Sequence, residues 1–598
     1  MSNFSNWLDN RTGFRKLVAE ALFENVPGGS RWRYVWGSTL VFTLSIQFIT
    51  GIVLWTCYSP SAQAAWESVY YLQTNMTGGW FLRGLHHYTA QAMTVLLVLH
   101  LMQVIIDGAY KAPREMNFWF GLVLLLLTLG LSLTGYLLPW DQKGFWASKV
   151  ATSIAAITPV IGPGLQHLII GGPDYGHLTL TRFFALHAGV IPGSIIVLLV
   201  GHIYLFRRHG LTAKQPLRGP DEAFWPDQVL KDAVACLAVI VTVLALVIYN
   251  HGAALLAPAD PSEQFSAARP EWYFLFLFQF LKYFPGGTEI LGAMVIPGLI
   301  LLVIFLMPLI GRWKLGHRFN IGFLFAIFAG ALFLTLQAMR EDRNNPSYVA
   351  AVKQADFEAY RVRELAQSSL GIPTTGAVTL LRDDPAVQGP KIFKRNCASC
   401  HTYDGGDGLG EALKETPTAS ELKGFGSREW LAGLMDPDRI ATLHYFGGTK
   451  FKNGKMVKFV KKDVPAYTPE QKAGLKKVIA AVSAEARLGA QASLDAAEKT
   501  QIAEGTALFR DQMRCGECHR FHNKDEDATA PDLTGYASRQ WLLDFILNPS
   551  HAQFYGDKND RMPKFGDDKV LDAKTMGMMV DWLRGEWFRP AAMEKAAR

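Results

Sequence analysis

The sequence predicts an all-α protein in which a polytopic bundle of membrane helices is followed by two small all-α domains. Long apolar runs dominate residues 33 to about 340, whereas the remainder has the composition of a soluble protein. The averages over all 598 residues, 49% hydrophobic and 19% charged, conceal this division. An imperfect internal duplication in the C-terminal third indicates two consecutive domains of one type.

Seven apolar runs are long enough to span a bilayer, which requires about 20 residues. They are predicted at residues 34–56, 84–106, 117–137, 184–206, 233–255, 289–311 and 319–339. Basic residues precede the first run and follow the second, fourth and sixth, whereas segment 57–78 contains no lysine or arginine. The basic positions are Arg11, Arg15, Lys16, Arg31, Arg33, Lys111, Arg114, Arg207, Arg208, Lys214, Arg218, Arg312, Lys314 and Arg318.

This charge pattern predicts the orientation of the chain. Because cytoplasmic loops are enriched in lysine and arginine, we expect the N-terminus in the cytoplasm of a bacterial cell with the helices in its cytoplasmic membrane. Seven crossings then place everything after about residue 340 on the outer, periplasmic side.

Net charge and cysteine content argue against two other classes of protein. The net charge of +7 is modest and its basic residues are interleaved with acidic ones, so nucleic-acid binding has little support. Of the six cysteines, four belong to two C-x-x-C-H motifs, while Cys57 and Cys236 stand alone in or near apolar runs. This is not the pattern of a disulfide framework.

Four histidines in the second and fourth apolar runs form a regular pattern. His86 and His100 are 14 residues apart, nearly four helical turns, so they share one face and lie about 21 Å apart. His187 and His202 are 15 residues apart and also share a face. Both runs cross from outside to inside, so His86 can meet His187 and His100 can meet His202. Two imidazole pairs stacked across a bilayer suit two bis-histidine b-type haems.

A simpler interpretation is that these histidines hydrogen-bond between helices, but the matched spacing on two runs favours haem. The adjacent His87 points elsewhere and is predicted to make a local polar contact. Glycines 14 residues apart support the haem interpretation, because they let a flat macrocycle approach the backbone. They are Gly37 and Gly51 in the first run and Gly121 and Gly135 in the third.

The C-terminal third carries the two C-x-x-C-H motifs, which are typical of covalently bound c-type haem. "CASCH" and "CGECH" are followed by the similar segments "ELKGFGSREWL" and "DLTGYASRQWL". In each motif two cysteines form thioethers and the histidine ligates iron, whereas the alternative, a zinc site, would need four ligands in closed geometry. The predicted residues are Cys397, Cys400 and His401 for one haem and Cys515, Cys518 and His519 for the other.

The sixth iron ligand of each c-type haem is predicted to be a methionine, which is usual in small electron-transfer cytochromes. Met562, in "RMPKF", fits this pattern. Met456, in "KMVKF", is its counterpart but lacks the following proline, and Met435 and His444 are rivals in the first domain. Since a methionine can also simply fill a core, the sixth ligand of the first haem stays open.

Residues 30–340 resemble cytochrome b of the cytochrome bc family, the quinol-oxidising respiratory and photosynthetic complexes. Besides the histidines, the resemblance rests on "GYLLPWDQKGFWA" at 135 and "RPEWYFLFLFQFLKYFPG" at 269. The 15-residue spacing and the seven-span layout are similar to the chloroplast-type version, in which a four-span part is continued by a three-span part. Chloroplast-type relatives tie an extra haem to a cysteine near the inner end of the first span. The corresponding place here, around Val35, has no cysteine, so no third membrane haem is expected.

The resemblance and the duplication together predict five segments. They are a four-helix haem-binding part (1–218), a three-helix part with the "PEWY" loop (219–340), a charged linker (341–390) and two cytochrome c domains (391–485 and 500–590). The run "SLDAAEKTQIAEGTALFRDQMR" between the two cytochrome c domains is predicted to be helical.

The resemblance also implies a quinol-oxidation site at the outer membrane edge. Glu271 of "PEWY" would accept a proton from quinol, and Tyr273 with the aromatics of "GYLLPW" would wall a ring pocket. A second quinone site is expected near the inner haem, with Arg207 and Asp232 as candidates.

Two further arginines are candidates for contacts with haem. Arg83 and Arg114 would neutralise haem propionates at the outer and inner edges. The simpler interpretations are a solvated carboxylate for Glu271, a role in membrane orientation for Arg207 and snorkelling for the other two arginines.

The implied function is that of the cytochrome b and c subunit of a quinol:cytochrome c oxidoreductase. One electron from quinol would pass to a separate Rieske-type Fe–S subunit, then through the c haems to a soluble cytochrome c or terminal oxidase. The other would cross the membrane through the b haems to reduce quinone, and protons would leave outside.

The remaining cysteines cannot supply a Rieske cluster, and the family predicts a homodimer. Two alternatives are a non-bifurcating membrane-anchored electron conduit and a non-enzymatic structural or sensor haem protein.

Overall fold

The computed structural model describes residues 2–212, 217, 219–523 and 528–589. Lys214 and Arg218, and the predicted domain boundaries at 218 and 590, lie outside these residues. The chain divides into two compact units, Met1–Val378 and Thr379–Arg598. The described residues are predominantly helical and include one antiparallel two-stranded sheet, formed by β1 (Asn25–Val26) and β2 (Glu222–Ala223).

The α-helices follow one another throughout the described residues. Those of the first unit are α1 (Ser2–Thr12), α2 (Phe14–Leu22), α3 (Trp36–Trp55), α4 (Ala65–Thr74), α5 (Gly79–Asp107), α6 (Glu115–Leu137), α7 (Gln142–Ala156), α8 (Gly162–Ile170), α9 (His177–Ala185), α10 (Ile191–His209), α11 (Val229–Tyr249), α12 (Leu275–Leu281), α13 (Ile296–Ile310), α14 (Gly316–Arg343) and α15 (Pro346–Ala366). Helix α16 (Val378–Arg382) begins at the boundary, and the second unit continues with α17 (Pro385–Asn396), α18 (Arg428–Leu434), α19 (Lys455–Lys462), α20 (Pro469–Glu485), α21 (Ala492–Ala497), α22 (Lys499–Asp511), α23 (Arg539–Leu547) and α24 (Ala573–Arg584).

Short turns of tighter or wider helix extend several of these elements. The π-helical turns are Leu186–Val190, Phe224–Gln228 and Leu291–Val295. The 3₁₀ turns are Trp32–Tyr34, Trp272–Phe274, Gly286–Thr288, Lys450–Asn453, Val464–Ala466, Gly489–Gln491, Cys515–Glu517 and Gly556–Lys558.

Seven continuous helices among the described residues are long and apolar enough to cross a membrane. They are Trp36–Trp55, Gly79–Asp107, Glu115–Leu137, His177–His209, Phe224–Tyr249, Gly286–Ile310 and Gly316–Arg343. Each corresponds to one of the predicted apolar runs, so the prediction of seven spans is confirmed and the chain is an integral membrane protein. A helix satisfies its own backbone hydrogen bonds, which is why these apolar runs can enter lipid.

The corner between α6 and α7 holds the long loop that precedes α12. Asp141 caps α7, and its Oδ1 accepts a hydrogen bond from the Gly144 amide at 2.8 Å. Its Oδ2 accepts a hydrogen bond from the Leu256 amide at 3.2 Å, and the Gln142 amide donates to the Ala257 carbonyl at 2.8 Å. These bonds tie the first turn of α7 to the segment that leads into "PEWY".

The segment predicted as a linker, 341–390, is largely helical. Helix α14 continues to Arg343, and α15 follows after Asn345, whose Oδ1 accepts hydrogen bonds from the amides of Ser347 and Tyr348. Helix propensity in the Ala-rich, charged sequence accounts for this structure.

The second unit has one main core, to which both repeats contribute. Trp430 and Tyr445 of the first repeat are buried in the same cluster as Phe509 and Trp541 of the second. Helix α17 packs against α24 and α20 packs against α22, so the helix pairs cross the predicted boundary between the two domains. The connecting run that was predicted to be helical forms α21 and α22.

Candidate haem and quinol sites

The four membrane histidines meet in the two pairs that their spacing predicts. The ring centroids of His86 and His187 lie 6.3 Å apart, with their planes at 72°. Those of His100 and His202 lie 6.5 Å apart, with their planes at 81°. Metal–imidazole bonds are about 2 Å long, so each pair is spaced to hold one metal ion between two rings.

Two threonines orient the pair formed by His86 and His187. His86 Nδ1 lies 2.8 Å from Thr50 Oγ1, and His187 Nδ1 lies 3.2 Å from Thr134 Oγ1. Each hydroxyl already donates its proton to a helix carbonyl, that of Ile46 at 2.6 Å in one case. The hydroxyl oxygen therefore accepts from the imidazole, and Nδ1 carries the ring proton. This tautomer leaves Nε2 with a lone pair for a metal.

The pair formed by His100 and His202 is held differently. His202 Nδ1 donates to the Asn117 carbonyl oxygen at 3.0 Å, which again leaves Nε2 free. His100 Nδ1 is buried and has no hydrogen-bond partner among the described residues. A small apolar cavity of about 50 Å³ lies beside both rings, with Gly121 in its lining. The paired imidazole donors in this apolar setting fit a bound macrocycle whose iron would take both histidines.

Each of the four glycines faces one of the four histidines. A Cβ at Gly135 would lie 2.5 Å from the His187 ring, and one at Gly121 would lie 3.1 Å from the His202 ring. The corresponding distances are 3.4 Å from Gly51 to His86 and 4.0 Å from Gly37 to His100. Because these glycines have no side chain, each imidazole ring can lie directly against the neighbouring helix backbone. The same positions leave space beside the rings. Because Thr50 and Thr134 immediately precede glycines of the set, a Thr-Gly pair at equivalent places on α3 and α6 is the signal that would have revealed the threonines.

A π-helical turn reconciles the two histidine spacings. His187 lies within Leu186–Val190, where the helix is wider and one turn accommodates an extra residue. Helix α5, which carries the other two histidines, is α-helical throughout. A spacing of 15 residues on one span can therefore match 14 on the other, and both rings of each pair meet.

Replacing Gly135 by valine is expected to remove one b-type haem. The new side chain would overlap the His187 ring, and overpacking of this kind costs about 1–3 kcal/mol. The measurement is the ratio of b-type to c-type haem in a pyridine haemochrome spectrum. Gly130→Val on the same helix is the matched control, because its Cβ would meet only Ile191 at an ordinary 3.7 Å. Full b-type haem in the Gly135 variant would contradict the assignment.

The histidines of the two C-x-x-C-H motifs are also held through Nδ1. His401 donates to the Ser420 carbonyl oxygen at 2.7 Å, and His519 donates to the Pro531 carbonyl oxygen at 2.8 Å. Burial lowers the pKa of both imidazoles, so the neutral form with a free Nε2 is favoured.

The first cysteine of each motif lies in an apolar environment. Burial raises the pKa of the Cys397 and Cys515 thiols to about 12. An apolar pocket around each sulfur suits a neutral thioether. The surroundings of both motifs thus fit a covalently attached haem.

The candidate sixth ligands lie in different local structures. Met562 is in a loop, where Asn559 Nδ2 donates to the Met562 carbonyl at 2.8 Å and Asn559 Oδ1 accepts from its amide at 3.3 Å. Met456 is in the first turn of α19, and Met435 follows α18; both pack against the main core. The His444 ring lies edge-on to Tyr445, with ring centroids 4.6 Å apart and planes at 65°. The choice among these side chains remains a prediction.

Glu271 forms an ion pair with a residue that the sequence did not single out. Lys143 Nζ lies 3.1 Å from Glu271 Oε1, and the carboxylate side chain is 13% exposed. The ammonium also lies 5.4 Å above the Tyr136 ring. Burial, followed by the charge of Glu271, raises the pKa of Tyr273 to about 12, so this phenol keeps its proton. The "PWDQK" and "PEWY" segments therefore meet in one partly buried polar cluster, with the aromatic rings of Tyr136 and Tyr273 beside it.

His87 makes the local contact that was predicted. Its Nε2 lies 2.8 Å from Gln91 Nε2, so the amide donates and the imidazole accepts. Gln91 Oε1 accepts from Trp272 Nε1 at 3.3 Å, which links the second span to the "PEWY" segment. His87 thus bonds to Gln91 and belongs to neither histidine pair.

The predicted arginines and Asp232 occupy separate places. Arg83 donates to the Ala253 and Ala254 carbonyls at 2.7 and 2.8 Å. Arg114 donates to the His209 carbonyl at 2.6 Å, while its Nε is buried without a partner among the described residues. Arg207 is exposed in the last turn of α10. Asp232 is buried and accepts from Ser38 at 2.6 Å and Gln228 at 2.8 Å.

These features define a class of protein: a membrane-bound cytochrome with paired histidines inside its helix bundle. Family comparisons agree with this class along most of the chain. Residues 91–263 match the family "Cytochrome b(N-terminal)/b6/petB", residues 258–355 match "Cytochrome b(C-terminal)/b6/petD", and residues 386–477 match "Cytochrome c".

Individual relatives support the same family. The chain is 37% identical over 220 residues to the "Menaquinol:cytochrome c reductase cytochrome b subunit" of Geobacillus thermodenitrificans, covering 36% of this chain and 98% of the relative. It is 37% identical over 212 residues to "Cytochrome b6" of Synechococcus sp. (strain JA-3-3Ab), covering 36% and 99%. It is 33% identical over 302 residues to "Cytochrome b" of Rhodobacter capsulatus, covering 48% and 69%.

The chain belongs to the cytochrome b family, as a fused b6-type cytochrome b that continues into cytochrome c. Haem b and haem c are accordingly its cofactors, and electron transport is its role.

Proposed function

We propose that this chain is the cytochrome b and c subunit of a quinol:cytochrome c oxidoreductase that oxidises quinol at the outer side of the membrane. Its family and the name of its Geobacillus relative support an oxidoreductase subunit of the bc type. The observation that carries the proposal is the pairing of imidazoles at two depths of one helix bundle, at ring distances of 6.3 and 6.5 Å.

Four haems are proposed, two at the imidazole pairs and two at the C-x-x-C-H motifs, and no third membrane haem. When bound, they supply one-electron transfer, across the membrane through the b-type pair and outward through the c-type pair. Thr50 and Thr134 keep the outer imidazoles in the tautomer that offers Nε2. The Asn117 carbonyl does the same for His202. Met562, and Met456 or one of its rivals, complete the proposed ligand sets.

At the outer site, Glu271 accepts a proton from the quinol hydroxyl and releases it to the periplasmic side. A carboxylate that is only 13% exposed lies at the edge of the pocket, within reach of both a substrate and the surface. Lys143 holds this carboxylate in place until it is protonated, because a neutral carboxyl attracts an ammonium ion only weakly. Tyr273 stays neutral and can donate a hydrogen bond to a quinol oxygen.

At the inner site, Asp232 is the polar group best placed to meet a quinone. Ser38 and Gln228 orient its carboxylate near the cytoplasmic end of α11. Arg207 is a further candidate, and Arg83 and Arg114 are proposed contacts for haem propionates. The buried, unpartnered Nε of Arg114 supports that role at the inner edge.

The proposed complex requires partners that this chain does not encode. A Rieske-type Fe–S subunit receives the first electron, and a soluble cytochrome c or a terminal oxidase receives electrons from the c-type haems. Quinol and quinone are the substrates, and the complex is proposed to be a homodimer with the C-terminal unit in the periplasm. Proton translocation follows from release outside and uptake inside.

Oxidant-induced reduction of haem b tests the proposal. In the purified complex with quinol and an inhibitor of the inner site, a pulse of oxidant is expected to reduce haem b, because one quinol electron can leave only when the other enters the b-type pair. A pyridine haemochrome spectrum is expected to show b-type and c-type haem in a ratio of one. If the oxidant leaves haem b oxidised, the chain is the non-bifurcating conduit. Absence of steady quinol:cytochrome c turnover would point to the sensor or structural alternative.

A further inference from the structure

The two repeats of the second unit exchange their terminal helices. In each repeat one helix leads into the C-x-x-C-H motif, α17 in the first and α22 in the second. Another helix ends each repeat, α20 in the first and α24 in the second. Because α17 packs on α24 and α22 packs on α20, the helix before each motif is covered by the last helix of the other repeat.

Contacts between equivalent residues indicate a local two-fold relation between the two repeats. Phe425 and Tyr536 occupy equivalent positions in "ELKGFGSREWL" and "DLTGYASRQWL", and their ring centroids lie 5.3 Å apart. The next residues are also equivalent, and a Cβ at Gly426 would lie 2.4 Å from the Ala537 Cβ. Residues that meet their own counterparts lie on a symmetry axis. The exchange is therefore reciprocal.

Trp582 is the part of α24 that reaches the first motif. It is 5% exposed, and its ring centroid lies 4.1 Å from that of Tyr403 and 5.6 Å from that of Phe393. Tyr403 is two residues beyond the predicted iron ligand His401, and Cys397 packs against the same cluster. A Cβ at Gly389 would lie 2.2 Å from Trp582 Cβ. Helices α17 and α24 are therefore in close backbone contact at this point.

Different side chains pack beside the second motif. Phe509 and Phe521 stand where the first repeat has Phe393 and Tyr403, with ring centroids 4.6 Å apart. The facing helix α20 contains no aromatic residue, and it contributes Val478 and neighbouring aliphatic side chains to the core. The two c-type sites thus differ in the aromatic residue that the exchanged helix supplies.

We infer that Trp582, although it belongs to the second repeat, is a positioning residue for the first c-type haem, the one attached at Cys397 and Cys400. It fixes Tyr403 and Phe393 on either side of the motif, and removing it leaves a cavity beside the attachment site. The midpoint potential of a haem depends on burial and packing around its site. Removing Trp582 is therefore expected to change the potential of the first c-type haem and not that of the second.

The experiment measures haem at each motif separately in the full complex. Trypsin releases the first motif in peptide 396–414 and the second in peptide 515–520, which mass spectrometry distinguishes. Trp582→Ala is expected to lower the haem-bearing yield of 396–414 relative to 515–520 about fivefold or more. Trp582→Phe is expected to keep covalent haem at both motifs and to shift the midpoint potential of the first c-type haem only.

Trp541→Ala is the matched control within the same repeat. Trp541 is equally buried, and its Nε1 donates to the Asp532 carbonyl beside the second motif, so its loss is expected to affect peptide 515–520 more strongly. If Trp582→Ala instead depletes 515–520, the repeats do not exchange helices. Equal depletion of both peptides, or no change in yield and potential with either Trp582 variant, would also overturn the inference. The result does not depend on whether the chain bifurcates electrons.

Discussion

Replacing His86 by alanine is expected to abolish one of the two b-type haem absorbances and to stop quinol oxidation. The His86 and His187 rings face each other at 6.3 Å, so the substitution leaves this site with one imidazole and with a void in place of the other. Losing a hydrogen bond that supports a metal ligand costs about 10–100-fold in metal affinity or activity, and losing the ligand itself is expected to cost more. The measurements are potential-resolved difference spectra of the b bands and steady-state turnover.

His87→Ala is the control for this prediction. His87 is the neighbouring residue on the same helix, and its ring nitrogen is bonded to Gln91 at 2.8 Å, outside the histidine pairs. The variant is expected to retain both b-type signals. If the His86 variant retained both signals as well, the route of electrons through the bilayer would have to be assigned to other residues.

Replacing Glu271 by glutamine is expected to lower quinol oxidation about 100-fold, which is within the range that a positioned acid or base contributes. Glutamine preserves the shape of the side chain but cannot accept the quinol proton. Haem content is expected to stay unchanged, because Glu271 lies in the loop before α12 and belongs to neither histidine pair. The measurement is the rate of haem b reduction by quinol in the inhibited complex, together with the haem spectrum.

Two further variants separate the role of Glu271 from a general effect of charge. Glu289→Gln removes an exposed carboxylate near the start of the sixth span and is expected to leave the rate unchanged. Lys143→Met removes the partner 3.1 Å from Glu271 but leaves the proton acceptor, so a smaller loss of about fivefold is expected, in keeping with a half-exposed ion pair worth up to about 1 kcal/mol. Normal quinol oxidation by the Glu271 variant would show that another group takes the proton.

Much of the membrane architecture could be predicted because it depends on local properties of the chain. An apolar run of sufficient length must form a helix in lipid, and all seven runs do so. The face of a helix follows from its period of 3.6 residues, so the spacing of His86 and His100 could be interpreted without coordinates. The C-x-x-C-H motifs are likewise complete within five residues.

Other features could not be predicted because they depend on segments far apart in the sequence. Thr50 and Thr134 bind histidines 36 and 53 residues away, and Lys143 binds a carboxylate 128 residues away. A lysine in the first turn of α7 does not by itself specify a partner in the loop before α12. The hydrogen bonds of Asp141 first have to bring the two segments together. The π-helical turn around His187 is also set by packing, since its sequence reads as ordinary helix.

By itself, the sequence determined the seven spans, the histidine pairs and the two c-type motifs, because hydropathy, helical period and covalent motif chemistry act over a few residues. Only the tertiary structure decided which C-terminal helix packs against the helix that precedes each motif. The duplication indicated two consecutive domains, whereas the fold pairs α17 with α24 and α20 with α22. An amphipathic helix of one repeat can bury the same apolar face against either of two similar partners. The contacts of the assembled core, with Trp582 against Tyr403 among them, determine the choice.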